Sequence, residues 1–249
     1  MEEIKIRPGY TVGNYVLEEM VGAGGFSTVY KARSIDPQPE YDSIIAIKVL
    51  HPRRLERYQI RRFVREAKIA KKLKHKNIVK VYDLKKQDGN YFIFMEFLDS
   101  DLLRCIRNKR GIFTLSNIKE VILKAAKGLA YIHKNRIIHK DINPTNILLN
   151  FSLDKVKMTD FGLSRRNFLF NKEKKEGGTL YYLAPEILKG KKASIKSDIY
   201  SFGKSIEKVY NELGFTIPDD IRHIINISTK ENPEERFSNM ENIIYILEN

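Results

Sequence analysis

The chain has 249 residues, of which 42% are hydrophobic and 31% are charged, a composition typical of a globular protein with a substantial core. No apolar run approaches the roughly 18 residues that a membrane span requires, and the N-terminal segment MEEIKIRPGY lacks the order of an export signal. Cys105 is the only cysteine, which excludes an internal disulfide. We therefore expect a cytoplasmic protein without a membrane partner.

The charge balance is basic, with 45 Lys and Arg residues against 31 Asp and Glu residues, a net charge of +14. Such an excess can indicate an acidic partner. Here the basic residues are spread over many segments and do not alternate with aromatic residues as in single-strand binders. The charge predicts a solvated basic surface, and no nucleic-acid partner is expected.

The first part of the chain is rich in predicted strands. Short β-type runs and one segment with apolar residues at helical spacing follow each other. The predicted strands are 15–20, 27–32, 44–50, 79–84 and 91–97, and the predicted helix is 58–73. Asp88-Gly89-Asn90 is the predicted turn between the last two strands.

The second part is predominantly helical. Its predicted helices are 118–133, 197–213, 218–228 and 240–249, with short strands at 147–149 and 156–159. Ser116 is the predicted N-cap of the first of these helices. The fold class is therefore α+β, with a β-rich N-lobe over 1–97 and a mainly helical C-lobe over 98–249.

A glycine-rich segment, Gly22-Ala-Gly24-Gly25-Phe26-Ser27-Thr28-Val29, lies between the first two predicted strands. Glycines allow backbone N–H groups to approach phosphate oxygens. Alone this is a weak signal, because most such glycine pairs form turns. No Gly-Lys-Ser/Thr sequence and no βαβ pattern follows, which excludes a Walker loop and a dinucleotide fold.

Lys48 lies inside an apolar strand, where a lysine needs an anionic partner or a route to solvent. Glu66, on the predicted helix that follows, is a candidate ion-pair partner. Taken singly, each would more often be an ordinary surface residue.

The most informative segment is His139-Lys140-Asp141-Ile142-Asn143-Pro144-Thr145-Asn146, followed along the chain by Asp160-Phe161-Gly162. Two carboxylates and an amide at strand–loop boundaries suit phosphoryl transfer, which requires a group that accepts the hydroxyl proton and oxygen ligands for Mg²⁺. An isolated Asp-Phe-Gly is usually a turn, but the ordered co-occurrence of all these segments indicates a catalytic site.

With these motifs in this order, the sequence resembles the eukaryotic-type protein kinases from about Tyr15 to Leu247. The resemblance implies a bilobal fold, ATP and Mg²⁺ as cofactors, and transfer of the γ-phosphate to Ser or Thr of a protein substrate. It implies Asp141 as catalytic base, Asn146 and Asp160 as Mg²⁺ ligands, and a Lys48–Glu66 pair at the phosphates. The residues implied at the nucleotide are Gly22, Gly24, Ser27, Val29, Ala46, Lys48, Glu96, Leu98, Asp101 and Leu148, with Met95 as gatekeeper.

The same resemblance implies structural roles downstream. The segment Gly178-Thr-Leu-Tyr-Tyr-Leu-Ala-Pro-Glu186 resembles the substrate-positioning segment in its Ser/Thr-kinase form. Asp198 is expected to hold the catalytic loop from a buried helix, and Arg236 is expected to pair with Glu186.

Three departures from the family pattern bear on activity. Asn143 replaces a lysine of the catalytic loop, so a cation near the γ-phosphate is missing. Lys140 replaces an arginine, and a lysine offers a point charge rather than a bidentate fork for an activation-loop phosphate. The connection before Asp219 is short, which predicts a reduced substrate-docking surface. Two alternatives therefore stay open: a kinase-fold phosphotransferase for small molecules, and a pseudokinase binding module.

The activation segment predicts activity without phosphorylation at its centre, because residues 165–178 contain no Ser, Thr or Tyr. Pairing of Glu173 or Glu176 with Lys140, or burial of apolar residues 168–170, is the expected substitute. The sequence does not define the oligomeric state.

Overall fold

A computed structural model of the chain describes residues 6–24, 27–50, 57–160 and 180–249, without the side chains of 58, 59, 62 and 66. The chain divides into two compact units. The smaller contains the described residues of 1–74 and 79–98, and the larger contains 75–78 and the described residues of 99–249.

In its described residues the smaller unit has one antiparallel six-stranded sheet and one helix, α1. The sheet order is β1-β2-β3-β4-β6-β5. The elements are β1 Thr11–Val12, β2 Tyr15–Ala23, β3 Ser27–Ser34, β4 Ile44–Leu50, α1 Arg57–Ala70, β5 Val81–Gln87 and β6 Asn90–Glu96. Asp88 and Gly89 both have positive φ angles (49° and 78°), which is the conformation that a two-residue Asp-Gly hairpin turn requires.

Both faces of this sheet are partly covered, which explains why its central strand, β4, is apolar except at Lys48. On one face Ile45, Ile47 and Val49 of β4 pack into a buried cluster with aromatic residues of the neighbouring strands. On the other face Leu50 packs against Phe63 of α1. Lys48 is the one charged residue of β4. The buried residues on either side of it in β4 fix its place in the sheet.

The larger unit is built from helices around a small three-stranded sheet of order β7-β8-β9 in its described residues. Its elements are β7 Ser100–Asp101, α2 Leu102–Asn108, α3 Leu115–Lys134, β8 Ile147–Leu149, β9 Val156–Met158, α4 Pro185–Leu188, α5 Ile195–Leu213, α6 Asp219–Ser228 and α7 Met240–Glu248. Single 3₁₀ turns lie at Arg110–Ile112, Pro144–Asn146, Leu180–Tyr182 and Pro233–Glu235. No helix in these ranges is both long and apolar enough to cross a membrane.

Two predicted helix ends differ from the structure by three residues, the start of α3 and the end of α1. The N-cap of α3 is Thr114 and not Ser116, because Thr114 and Asn117 form a reciprocal capping box in which each side chain accepts the other's backbone N–H. Helix α1 ends at Ala70, three residues before the predicted end, because the N–H groups of Lys72 and Leu73 bond three residues back, to Ile69 O and Ala70 O.

Segment 75–78 belongs to the larger unit because its backbone packs and bonds there. Asn77 O accepts a hydrogen bond from Met158 N (2.9 Å), and Asn77 Nδ2 donates to Val156 O (2.9 Å). Gly128 of α3 lies against the same carbonyl: a Cβ atom at this position would lie 2.5 Å from Asn77 O. Only glycine permits this approach of helix and segment.

Candidate active site

In the smaller unit, three of the predicted nucleotide-site residues form a row across the sheet. Gly22 of β2 pairs with Val29 of β3, which pairs with Lys48 of β4. Directly paired residues of antiparallel strands share a face. The pairing of the three strands therefore places a glycine, a small apolar residue and a cation side by side on one surface.

The glycine-rich segment forms a tight turn between β2 and β3. Gly24 N donates to Ser27 O (2.7 Å), which closes the turn, and a Cβ atom on Gly24 would lie 3.6 Å from that oxygen. Gly25 and Phe26, which come between them in the sequence, lie outside the described residues.

Ala46 and Met95 are direct partners on β4 and β6, and both are buried. Glu96 N donates to Lys80 O (2.9 Å), so its amide is used within this unit. Leu98, the last residue of the unit, is 8% exposed.

Glu66 lies on helix α1, as predicted, but its side chain is outside the described part of the structure. The predicted ion pair between Lys48 and Glu66 therefore stays a prediction.

In the larger unit, Asp101 and Leu148 are direct partners on β7 and β8. Asp101 also caps α2, since its Oδ1 accepts from Arg104 N (2.9 Å). The turn from strand to helix thus fixes the carboxylate of Asp101 beside Leu148.

The catalytic loop, residues 139–146, is held by one buried carboxylate. Asp198 of α5 is 1% exposed and accepts from two consecutive backbone amides, His139 N (2.7 Å) and Lys140 N (2.8 Å). His133 Nε2, at the end of α3, lies 2.9 Å from the same carboxylate. The predicted role of Asp198 is confirmed, and His133 is a further contributor that the sequence analysis did not identify.

His139 ties the loop to the strand that precedes Asp160. Its Nε2–H donates to Thr159 O (3.0 Å), and its Nδ1 accepts from Asp141 N (3.3 Å). Complete burial lowers the pKa of His139, against the opposing effect of the nearby carboxylates of Asp198 and Asp141. A neutral imidazole is what these two hydrogen bonds require.

Asp141 has an amide neighbour within the loop. Asn143 Nδ2 donates to Asp141 Oδ1 (3.0 Å) and to Asp141 O (3.2 Å). The side chain of the residue that replaces the family's lysine therefore contacts the predicted base directly.

The predicted metal ligands, Asn146 and Asp160, lie on adjoining backbone. Asn146 O accepts from Thr159 N (3.0 Å), and Asn146 Nδ2 donates to Asp141 O (2.7 Å). The amide oxygen, the atom that a metal would use, is thus the one that Asp141 does not engage. Asp160 has a φ of 54°, a conformation that non-glycine residues rarely adopt and that is frequent at functional sites.

These residues fit a Mg²⁺ ion, which prefers carboxylate and amide oxygens and usually takes only one or two protein ligands together with substrate phosphates. Within the described ranges, no group of three or more His, Cys, Asp or Glu side chains forms a separate metal site.

A buried ion pair supports the larger unit. Arg236 binds Glu186 in a bidentate manner, with Nη1–Oε1 and Nη2–Oε2 distances of 2.8 Å, which confirms the predicted pair. Burial, the largest single influence, would raise the pKa of Glu186, but the hydrogen bonds from Arg236 and from the Glu186 backbone, together with the charges of Arg236 and Lys191, leave the pKa below its ordinary value.

The centre of the activation segment lies outside the residues that the structure describes. Phe161, Gly162 and residues 163–179, including Thr179, belong to the undescribed range. The predictions on the activation segment therefore stay untested by the structure.

The larger unit has a carboxylate on an anchored loop and a carboxylate–amide pair suited to Mg²⁺. The smaller unit has a lysine on a strand beside a glycine turn. These features define a phosphoryl-transfer domain. A family model described as "Protein kinase domain" matches residues 15–244. The chain belongs to the protein kinase family.

Curated relatives are named as protein kinases. The chain is 33% identical to serine/threonine-protein kinase PrkC of Bacillus subtilis over 88% of its length, and 36% identical to serine/threonine-protein kinase PknJ of Mycobacterium bovis over 80%. It is 30% identical to Aurora kinase of Schizosaccharomyces pombe over 92%. The alignments span 33% of PrkC, 34% of PknJ and 70% of the Aurora kinase, so the chain covers about a third of the two bacterial relatives.

Proposed function

We propose that this chain is a protein serine/threonine kinase that uses ATP and Mg²⁺ to phosphorylate hydroxyl groups of protein substrates. The observation that carries the proposal is the anchored loop 139–146, in which Asp141 and Asn146 have defined hydrogen-bond partners. Phosphoryl transfer involves little covalent chemistry by the protein and depends on positioning and on charge stabilisation. A loop fixed to a buried carboxylate supplies that positioning.

In this proposal Asp141 orients the substrate hydroxyl and accepts its proton. Asn146 and Asp160 hold Mg²⁺, which neutralises charge on the phosphates when bound. Lys48, paired with Glu66, binds the α- and β-phosphates. The remaining proposed contacts to the nucleotide are Gly22, Gly24, Ser27 and Val29 at the phosphates, Ala46, Leu148 and the backbone of Glu96 and Leu98 at adenine, and Asp101 at the ribose.

Protein substrates are proposed because the relatives are named protein kinases and because the segment ending at Glu186 has the Ser/Thr-kinase form. A cytoplasmic location is proposed from the single cysteine, Cys105, which is buried and free. The division into an N-lobe over 1–97 and a C-lobe over 98–249 is part of the same proposal.

The test is incubation with γ-labelled ATP and Mg²⁺, with a generic basic protein and a generic acidic protein as acceptors, followed by phosphoamino-acid analysis. Labelled phosphoserine or phosphothreonine is expected with the wild-type chain and not with Asp141→Asn. ATP binding without any transfer would favour a pseudokinase module. Transfer to small hydroxyl compounds but to neither protein would favour a small-molecule phosphotransferase.

A further inference from the structure

Asn143 begins one of two Asn-Pro turns in the larger unit, and the second provides an internal comparison. Asn143 precedes the 3₁₀ turn Pro144–Asn146, and Asn232 precedes the 3₁₀ turn Pro233–Glu235. In each, the asparagine Oδ1 accepts the N–H two residues further on: Thr145 N at 2.9 Å and Glu234 N at 3.1 Å. This local cap is a sufficient reason for an asparagine before the proline.

The two asparagines differ in the hydrogen-bond partner of the amide NH₂ group. Asn232 Nδ2 donates to Glu235 Oε1 (3.1 Å) at an exposed position of its own turn. Asn143 is 8% exposed, and its Nδ2 donates to Asp141 Oδ1 (3.0 Å). Capping therefore accounts for Asn232 completely but leaves the contact between Asn143 and Asp141 unexplained.

The orientation of the Asn143 amide is fixed by chemistry. A backbone N–H can only donate, so the amide atom facing Thr145 N must be the oxygen. The Thr145 hydroxyl also donates to that oxygen. The NH₂ group consequently faces the Asp141 carboxylate, because a flipped amide would place two donors together at Thr145 N and two acceptors together at Asp141 Oδ1.

We propose that Asn143 is a positioning residue for the catalytic base. Its NH₂ group holds the Asp141 carboxylate by Oδ1, so that the carboxylate keeps one rotamer toward the substrate hydroxyl. Thr145 fixes the amide from the opposite side. The proposal rests on the proposed function, and it explains how the loop retains a donor for Asp141 without the lysine that the family pattern has at this position.

The experiment compares three variants in the full chain. Asn143→Ala removes both the cap and the donor. Asn143→Asp keeps the acceptor for Thr145 N and the shape of the side chain, but turns a second carboxylate oxygen toward Asp141. Asn232→Ala, the matched control, removes the equivalent cap from the other Asn-Pro turn. Initial rates give kcat and KM for ATP and for the protein acceptor, and far-UV circular dichroism gives the melting temperature.

We expect kcat to fall by about 10- to 100-fold in Asn143→Ala and at least as far in Asn143→Asp, since a hydrogen bond to a charged group is lost in both. The KM for ATP should stay within about 2-fold, because loss of positioning acts on the transferring step. Asn232→Ala should keep the wild-type kcat. The decisive variant is Asn143→Asp, because a residue that merely caps the turn would tolerate it.

Wild-type rates in Asn143→Asp, or equal losses in Asn143→Ala and Asn232→Ala, would overturn the inference. If Asn143→Ala melts well below the wild type, its rate is set aside. The rate of Asn143→Asp, with a melting temperature equal to that of the wild type, then decides. An inactive wild-type chain would overturn the proposed function itself, and the inference with it. An active wild type with unaffected Asn143 variants would overturn the inference alone.

Discussion

Replacing Arg236 by Met should destabilise the larger unit more than any loss of a surface ion pair. The Arg236 side chain is 0% exposed and that of Glu186 is 8% exposed. All five N–H groups of the guanidinium are used: two bind the Glu186 carboxylate, and three bind backbone carbonyls of Lys196, Lys230 and Glu231 at 2.8–3.0 Å.

The magnitude follows from what the substitution leaves behind. Methionine fills a similar volume, but the Glu186 carboxylate then remains buried without its counter-ion, which typically costs about 3–5 kcal/mol. The three carbonyls lose their donors as well. We therefore expect the free energy of unfolding to fall by at least about 3 kcal/mol at pH 7.

The pH dependence has a defined sign. The folded-state pKa of Glu186 lies below its ordinary value of 4.5, so the contribution of the pair is present above pH 4.5 and is lost as pH falls through the lower folded value. In Arg236→Met the carboxyl can protonate in the acid range and escape the penalty of a buried charge. The difference between wild type and variant should thus be largest at pH 7 and shrink as the pH falls, beginning above pH 4.5, because burial without Arg236 raises the pKa of Glu186 in the variant.

Urea unfolding followed by far-UV circular dichroism is a suitable assay, because the chain contains no tryptophan. The control is Lys127→Met, which breaks the Lys127–Glu248 pair (2.6 Å) at sites 34% and 47% exposed and should cost about 0–1 kcal/mol. If Arg236→Met costs no more than this control, or if its effect is independent of pH, the reasoning from burial is refuted.

Three further predictions concern the site and its support. Asp160→Asn should abolish Mg²⁺-dependent transfer without lowering the melting temperature, since one ligand charge is lost; near-normal turnover would remove the metal role. Gly128→Ala should destabilise by about 1–3 kcal/mol in urea unfolding, because the added Cβ meets Asn77 O at 2.5 Å, and a neutral effect would show that helix and segment separate easily. Phosphatase treatment should leave the initial rate unchanged, because 165–178 contains no acceptor, and a rate that depends on phosphate detected by mass spectrometry would contradict this.

The longer elements were predictable because their patterns reflect burial. Strand β4 was predicted with both ends correct, since its apolar run faces covered surfaces on both sides. Helix ends that depend on side-chain hydrogen bonds were not predictable in this way. The pattern Thr-x-x-Asn at Thr114 and Asn117 departs from the Ser/Thr-x-x-Glu/Gln capping signature, so Ser116 was the wrong choice.

The candidate site was predictable as a set of residues but not as a set of contacts. The family resemblance named Asp141, Asn146 and Asp160 as site residues, and it named Asp198 as the residue that holds the catalytic loop. It treated Asn143 only as a missing cation, because a hydrogen bond between residues two apart in a loop depends on backbone turns that spacing does not specify. The two-residue strand β7 was missed for a related reason: it exists only through pairing with β8.

The route of the chain has a consequence for any attempt to divide it. The backbone passes between the two units three times, at 74–75, 78–79 and 98–99. A fragment that begins at residue 99 would lack Asn77 and would leave Gly128 and the edge of β9 beside an empty groove, with Met158 N without its acceptor. No single cut yields two complete halves. Supplying 75–78 as part of a complementing fragment should therefore be necessary for the larger unit to regain native stability, even though these four residues carry no catalytic group.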